Sequence, residues 1–114
     1  MAGLRGEVRV VDLDPTRGHE QAKARPCIVV SDDRFNRSAS GLVVVVPLTT
    51  VGRGIPWHVR VDQDNGGVRQ ESWAMTDQVR AVSRDRLIGD PWGRVSSGVM
   101  AAIEERLRLL LGLA

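Results

Sequence analysis

Leu42-Val43-Val44-Val45-Val46-Pro47-Leu48 is the longest apolar run in the chain, and its reading decides the fold. The run is strand-sized and falls far short of the roughly 18 residues a membrane span needs. It does not alternate, so both faces of the strand need cover, as in a closed or covered sheet. Upstream, Glu7-Val8-Arg9-Val10-Val11-Asp12-Leu13 is rich in β-branched residues and reads as a strand. Asp14-Pro15-Thr16-Arg17-Gly18 breaks that pattern, and a polar stretch continues through His19, Glu20, Gln21 and Lys23 to Arg25. Pro26-Cys27-Ile28-Val29-Val30 is the next strand, with Pro26 expected at its first position, where a missing N–H is tolerated. Ser31-Asp32-Asp33 has the residue types of a helix cap opening one or two turns through Phe35 and Arg37, with Gly41 ending the element.

Downstream, Thr49 to Pro56 contains Gly52, Gly54 and Pro56 and is expected to be a mobile loop. Trp57-His58-Val59-Arg60-Val61 and Val68 to Met75 read as strands, joined at Asn65-Gly66 by a hairpin signal. Gln78-Val79-Arg80-Ala81-Val82 is a last short strand. The tail then changes period. Val99, Met100, Ile103, Leu107, Leu110 and Leu111 share a helical face, with Glu104, Glu105, Arg106 and Arg108 opposite. Ser96 or Ser97 fits the N-cap and Gly112 the stop, and Glu104 stands four residues before Arg108 in the favourable order for an ion pair. Successive strands without intervening helices disfavour a parallel sheet. The expected fold is mainly β with a C-terminal helix, a small antiparallel barrel forming a single domain over residues 1–114.

Composition bounds function loosely. The chain has 114 residues, 42% hydrophobic and 26% charged, typical of a globular domain, and a net charge of +2. Of its 16 basic residues only Lys23 is lysine. That arginine bias permits a nucleic-acid partner without requiring one, because codon usage explains it equally well. Cys27 is the single cysteine, which excludes a disulfide framework and a thiolate zinc site. Met1-Ala2-Gly3-Leu4-Arg5 has no apolar signal-peptide core, so the expected compartment is the cytoplasm, with no membrane association. No phosphate loop, dinucleotide fingerprint, EF-hand or histidine metal motif is present, and neither a metal nor a cofactor is expected. In a chain with one Phe and no Tyr, the three tryptophans are the obvious core fillers, Trp73 in particular, with Trp57 open to either role.

The chemically dense stretch is Thr16-Arg17-Gly18-His19-Glu20-Gln21-Ala22-Lys23-Ala24-Arg25-Pro26. It carries an imidazole, a carboxylate and three cations. RNA cleavage by the sugar's own 2′-OH needs such groups: a base, cations for the pentacoordinate phosphorus, and an acid for the departing oxygen. A solvated surface loop would look the same, so the stretch alone does not decide.

Longer motifs do. Gly18-His19-Glu20-Gln21, Arg25-Pro26, Pro47-Leu48-Thr49 and Asp77-Gln78-Val79-Arg80 occur in an order and spacing that resemble the MazF/PemK/Kid family of toxin endoribonucleases. The resemblance begins at Arg5-Gly6-Glu7-Val8 and runs to the closing Leu-rich helix. It implies an SH3-like β-barrel and a homodimer. It implies metal-independent cleavage of single-stranded RNA at a short sequence, leaving 2′,3′-cyclic phosphate and 5′-OH ends. It also implies a cognate MazE-like antitoxin.

Carried over residue by residue, Arg25 and Thr49 match the family's catalytic pair, His19 its histidine in the Kid branch, and Asp77 that branch's aspartate. The Kid branch has arginine two residues before that aspartate, where this chain has Met75, so the division of roles stays open. A guanidinium is a poor acid near neutral pH, which assigns Arg25 to holding the phosphate and its developing charge. Thr49 is assigned a hydrogen bond to the phosphate, His19 proton transfer, and Glu20 either a second base or the orienting of Arg25. Arg17, Gln21, Lys23, Thr50, Arg53, Gln78 and Arg80 are the expected RNA contacts. Two other readings share this fold: a CcdB-like toxin that poisons gyrase without cutting RNA, and an inactive relative kept as a binding module.

Overall fold

The computed structural model describes residues 3–13 and 24–113. Its axis is β3 (Leu42–Thr49), the apolar run of the sequence. Along one edge β3 pairs antiparallel with β2 (Ala24–Val29), and β2 pairs with β1 (Glu7–Asp12). Its other edge is shared. Leu42 to Val45 face β6 (Arg80–Ser83), whereas Leu48 and Thr49 face β5 (Ser72–Met75). Outward from β5 lies β4 (His58–Val61), and outward from β1 lies β7 (Leu87–Arg94), so the path runs β4-β5-β3-β2-β1-β7.

The central strands are apolar on both sides because both sides are packed. Ile28, Val46 and Leu48 join Val8, Val59, Val61 and Ala74 in one cluster, which helix α3 (Ser97–Leu111) covers with Val99 and Ile103. Cys27, Val29, Val43 and Val45 join Val11, Leu13 and Val82 in a second cluster. Ile28 and Ile103 are both 0% exposed. Burying such a side chain contributes about 1.5–3 kcal/mol. The caps of α3 are those the sequence indicates: Ser96 Oγ accepts from the Val99 N–H at 3.1 Å, and Gly112 closes the helix in the left-handed region. Among the described residues no helix is long and apolar enough to cross a membrane.

The antiparallel fold and the terminal helix stand as expected, but no ladder joins β4 to β7 to complete the barrel. The two ends meet instead through backbone contact. A Cβ on Gly93 would lie 2.9 Å from Gly67 Cα, and Gly67 itself has φ +63°. Only residues without side chains allow that approach.

Several sequence expectations are corrected. β2 begins at Ala24 rather than Pro26, and Pro26 sits inside it, opposite Val10 of β1. Asp64-Asn65-Gly66-Gly67 lies in the connection between the antiparallel pair β4 and β5, as expected, but not as a tight turn. Gln63–Gly66 is a helical turn (α2), Gly67 is held against Gly93, and β5 starts only at Ser72. β7 was not expected. Gly89, Pro91 and Gly93 read as loop, yet this is an edge strand held by β1, with a bulge between the Val10↔Ile88 and Val8↔Gly93 pairs that takes up the proline. The short helix α1 (Asp33–Asn36) does follow its predicted cap, Asp32, whose carboxylate accepts from the Arg34 N–H at 2.8 Å. Glu104 pairs with Arg5 rather than with Arg108. The tryptophans do not build the core, which is valine, isoleucine and leucine. Trp57 and Trp73 are half-buried, and Trp92 lies under the Arg69 guanidinium at 3.9 Å.

Candidate active site

A cleft of about 490 Å³ opens where β2, β3, β4 and β5 end close together. Arg25, Thr49, Arg53, Ile55, His58, Met75, Asp77 and Gln78 line it. The register explains the first two. Cys27 of β2 pairs with Pro47 of β3, and continuing that ladder by two residues brings Arg25 level with Thr49. Residues level on adjacent antiparallel strands project from the same face.

Each wall has a local cause. Thr49 closes β3, and its Oγ1 accepts from the Val51 N–H at 3.2 Å. The acceptor is thereby satisfied locally, while the hydroxyl proton remains to be donated into the cleft. Arg53 and Ile55 lie on the segment that leaves β3, which carries no regular structure between 51 and 55. That segment is nevertheless tethered. Gly52 lies so close to Trp73 that a Cβ would stand 2.8 Å from Cζ2, and Arg106 Nε donates to Pro56 O at 2.8 Å.

Asp77 and Gln78 sit on the single 3-10 turn Thr76–Gln78 that follows β5. Fully buried Thr76 fixes this turn by donating its hydroxyl to Trp57 O at 2.5 Å. Met75, opposite His58, ends β5 and contributes an apolar wall.

Two arginines and one carboxylate facing each other over a small cleft are suited to an anionic ligand that also carries hydrogen-bond donors. Guanidinium forks match phosphate, and Thr49 adds a neutral donor beside them. Cys27, near this site in sequence, is inert: burial pushes its thiol up to about 12.

The family model for the PemK-like, MazF-like toxin of type II toxin-antitoxin systems matches residues 4–111. The chain belongs to this family. Endoribonuclease MazF9 of Mycobacterium tuberculosis (strain ATCC 25618 / H37Rv) is 39% identical over 114 residues, spanning 96% of each chain. The endoribonuclease toxin MazF of Escherichia coli (strain K12) is 31% identical over 107 residues, 94% of this chain and 92% of its own. A mycobacterial endoribonuclease solved in complex with its cognate antitoxin superposes with a TM-score of 0.80 at 32% identity, covering 99% of this chain and 98% of that one. This MazF-family chain is thus an endoribonuclease toxin by family.

Of the residues singled out from the sequence, the cleft gathers Arg25, Thr49, Arg53, Asp77 and Gln78. Thr50 is exposed next to it and is not part of its lining. Arg80 is turned to another task, with Nη2 donating to Leu13 O at 3.1 Å at the root of the segment that follows β1. Arg17, His19, Glu20, Gln21 and Lys23 lie outside the described residues. Sequence reasoning missed His58 and Ile55 as cleft residues. The available signal for His58 was its place at the start of a strand whose partner strand leads directly into Asp77.

Proposed function

We propose that this chain cleaves single-stranded RNA at a short sequence, with the ribose 2′-OH as nucleophile and without a metal ion. The observation that carries the reading is the joint presence of Arg25 and Thr49 in one cleft, from neighbouring strands two residues beyond their last pair, Cys27↔Pro47. In the proposed reaction the scissile phosphate lies between the Arg25 guanidinium and the Thr49 hydroxyl. His19, or Glu20, takes the 2′-OH proton; the 2′-O–P bond forms; the P–O5′ bond breaks; and a proton returns to the departing 5′-oxygen. The products are a 2′,3′-cyclic phosphate and a 5′-hydroxyl.

Arg25 stabilises charge that builds on the non-bridging oxygens, the kind of fixed donor whose removal costs about 10²–10³ in rate. Arg53 closes on the RNA from the tethered segment, and Asp77 with Gln78 shapes the pocket for a neighbouring base. Arg17, Gln21, Lys23 and Thr50 extend the contact along the strand. The substrate is unpaired because the sugar has to swing in line and its bases have to be splayed for reading. Two copies of the chain build the full groove, and a MazE-like antitoxin covers it in the cytoplasm. The mycobacterial relative solved with its cognate antitoxin supports that last step.

The test is an RNA oligonucleotide containing a cleavage site, with a single 2′-deoxy sugar at the scissile position, digested in EDTA. The all-ribo strand is cut and the deoxy strand binds but stays whole. Normal cutting of the deoxy strand removes the 2′-OH mechanism, and loss of all-ribo cutting in EDTA removes metal independence.

A further inference from the structure

The side chain of His58 is only 4% exposed, although it starts the outermost strand of its sheet end. β4 sends Val59 and Val61 into the core, so His58 and Arg60 lie on its other face, where Arg60 is 60% exposed. A nearly buried imidazole there is not a core filler. Its Nε2 stands 3.4 Å from Asp77 Oδ1, whereas its Nδ1 is buried without a hydrogen-bond partner. A buried orphan ring nitrogen is destabilising, and an apolar side chain at position 58 would avoid that cost.

We propose that His58 is a positioning residue, whose Nε2–H holds Asp77 Oδ1 so that the other carboxylate oxygen is aimed into the cleft beside Arg25 and Thr49. The inference rests on the RNA-cleaving function proposed above.

Trp57, just before β4, and His58, its first residue, thereby secure two adjacent residues of one turn. Trp57 O receives the Thr76 hydroxyl at 2.5 Å and fixes the backbone of the turn. Asp77 is 35% exposed, and the backbone anchor leaves its side-chain torsions undetermined; His58 determines them. The tautomer follows from the geometry. With the proton on Nε2, the N–H faces the carboxylate. With the proton on Nδ1, a lone pair would face a carboxylate oxygen and a donor would be buried without a partner. At 3.4 Å the contact is within ion-pair range without being a formed hydrogen bond, as catalytic contacts often are before substrate tightens them.

The experiment is a double-mutant cycle on the full chain. Steady-state kcat and KM are measured on one fluorogenic RNA substrate for wild type, His58→Leu, His58→Gln, Asp77→Asn and His58→Leu/Asp77→Asn. Glutamine can place an N–H donor where Nε2 stands. Misplacing a reacting or guiding group by about 1 Å costs up to about 10² in rate. His58→Leu is therefore expected to lower kcat about tenfold or more with KM within about twofold, and His58→Gln to restore most of it. In the Asp77→Asn background, His58→Leu adds nothing further, because the group it positions is already changed.

Long-range ¹H–¹⁵N spectra of the wild type report the Nε2–H tautomer independently of activity and of any variant's folding. Additive losses in the cycle overturn the proposal. So do a kcat for His58→Leu equal to wild type, or an Nδ1–H tautomer. A wild-type protein that cuts no RNA overturns the proposed function instead, and the tautomer measurement still decides whether His58 faces Asp77 as described.

Discussion

Thr76 tests whether the fold and the cleft are tied together as described. Its side chain is 0% exposed, and its hydroxyl donates to Trp57 O at 2.5 Å, while the Thr76 N–H reaches the same oxygen only at 3.4 Å. Thr76→Val keeps the shape and deletes the hydroxyl. The loss is a buried hydrogen bond, and a carbonyl left with one long donor. The remaining N–H limits the damage, so about 1–2 kcal/mol is expected. For a chain of 114 residues that lowers Tm by about 4–8 °C.

The same anchor places Asp77, so kcat should fall at 25 °C, where the variant is still folded. Thr76→Ser is the control: it keeps the hydroxyl and loses one buried methyl, at about 1 kcal/mol. It should melt early yet retain its activity. Calorimetric melts and cleavage rates on the same three proteins decide. A valine variant melting within about 1 °C of wild type refutes the anchor. A serine variant as inactive as the valine variant refutes the link between the hydroxyl and the site.

Other consequences can be checked separately. Arg25→Ala should lower RNA cleavage by about 10²–10³ while circular dichroism and Tm stay unchanged, since the side chain is half-buried at the cleft rather than in the core. Gly93→Ala drives a Cβ to 2.9 Å from Gly67 Cα, a backbone atom that cannot step aside, and should cost about 1–3 kcal/mol in urea midpoint measurements. With its thiol pushed up to about 12 by burial, Cys27 should resist iodoacetamide in the native protein and react promptly in urea. The Arg5 backbone N–H and the Asn36 amide hold the Asp33 carboxyl below the usual carboxylate range. A group with a depressed folded-state pKa stabilises above its unfolded value and loses that contribution as pH falls. Asp33→Asn should therefore flatten the decline in urea midpoint between about pH 5 and pH 3.

The sequence was most legible where one physical demand acted alone. Seven apolar residues without alternation required cover on both faces, and β3 has it, with Val43 and Val45 packed to one side and Val46 and Leu48 to the other. Ser96 and Gly112 announced the ends of α3 through cap chemistry that needs no tertiary partner. Legibility failed where two demands competed. Gly67 stands beside a hairpin signal, but its lack of a side chain is spent on Gly93, whose own strand was unreadable because glycine and proline mark loops more often than edges. Tryptophan looked like core material because other aromatics are scarce, yet Trp92 only borders the core, packing half-buried against the first cluster while its ring carries the Arg69 guanidinium. The hairpin signal did announce that β4 pairs with the strand leading to Asp77, but His58 was missed because its burial and its closeness to Asp77 appear only once the Thr76–Gln78 turn folds back beside it.

The position of the cleft follows from the way β3 changes partners. Its last β6 partner is at Val45 and its first β5 partner at Leu48, so two residues on that edge, Val46 and Pro47, fall between ladders. Proline, which has no N–H to offer, is tolerated where a ladder lapses. On the opposite edge the pairing with β2 stops at Cys27↔Pro47. Beyond Pro47, therefore, β3 is held from one side only, by β5 through Thr49↔Trp73, while Arg25 stays paired with Val11 of β1, so the edges of Thr49 and Arg25 that face each other carry no ladder. β5, recruited at this seam, brings with it the turn that carries Asp77 and the neighbouring strand that carries His58. Positions 25, 49, 58 and 77 are scattered along the chain, and a single exchange of strand partners is what gathers them. A substitution that let β6 continue past Val45, displacing β5, would scatter the site without touching any residue that lines it.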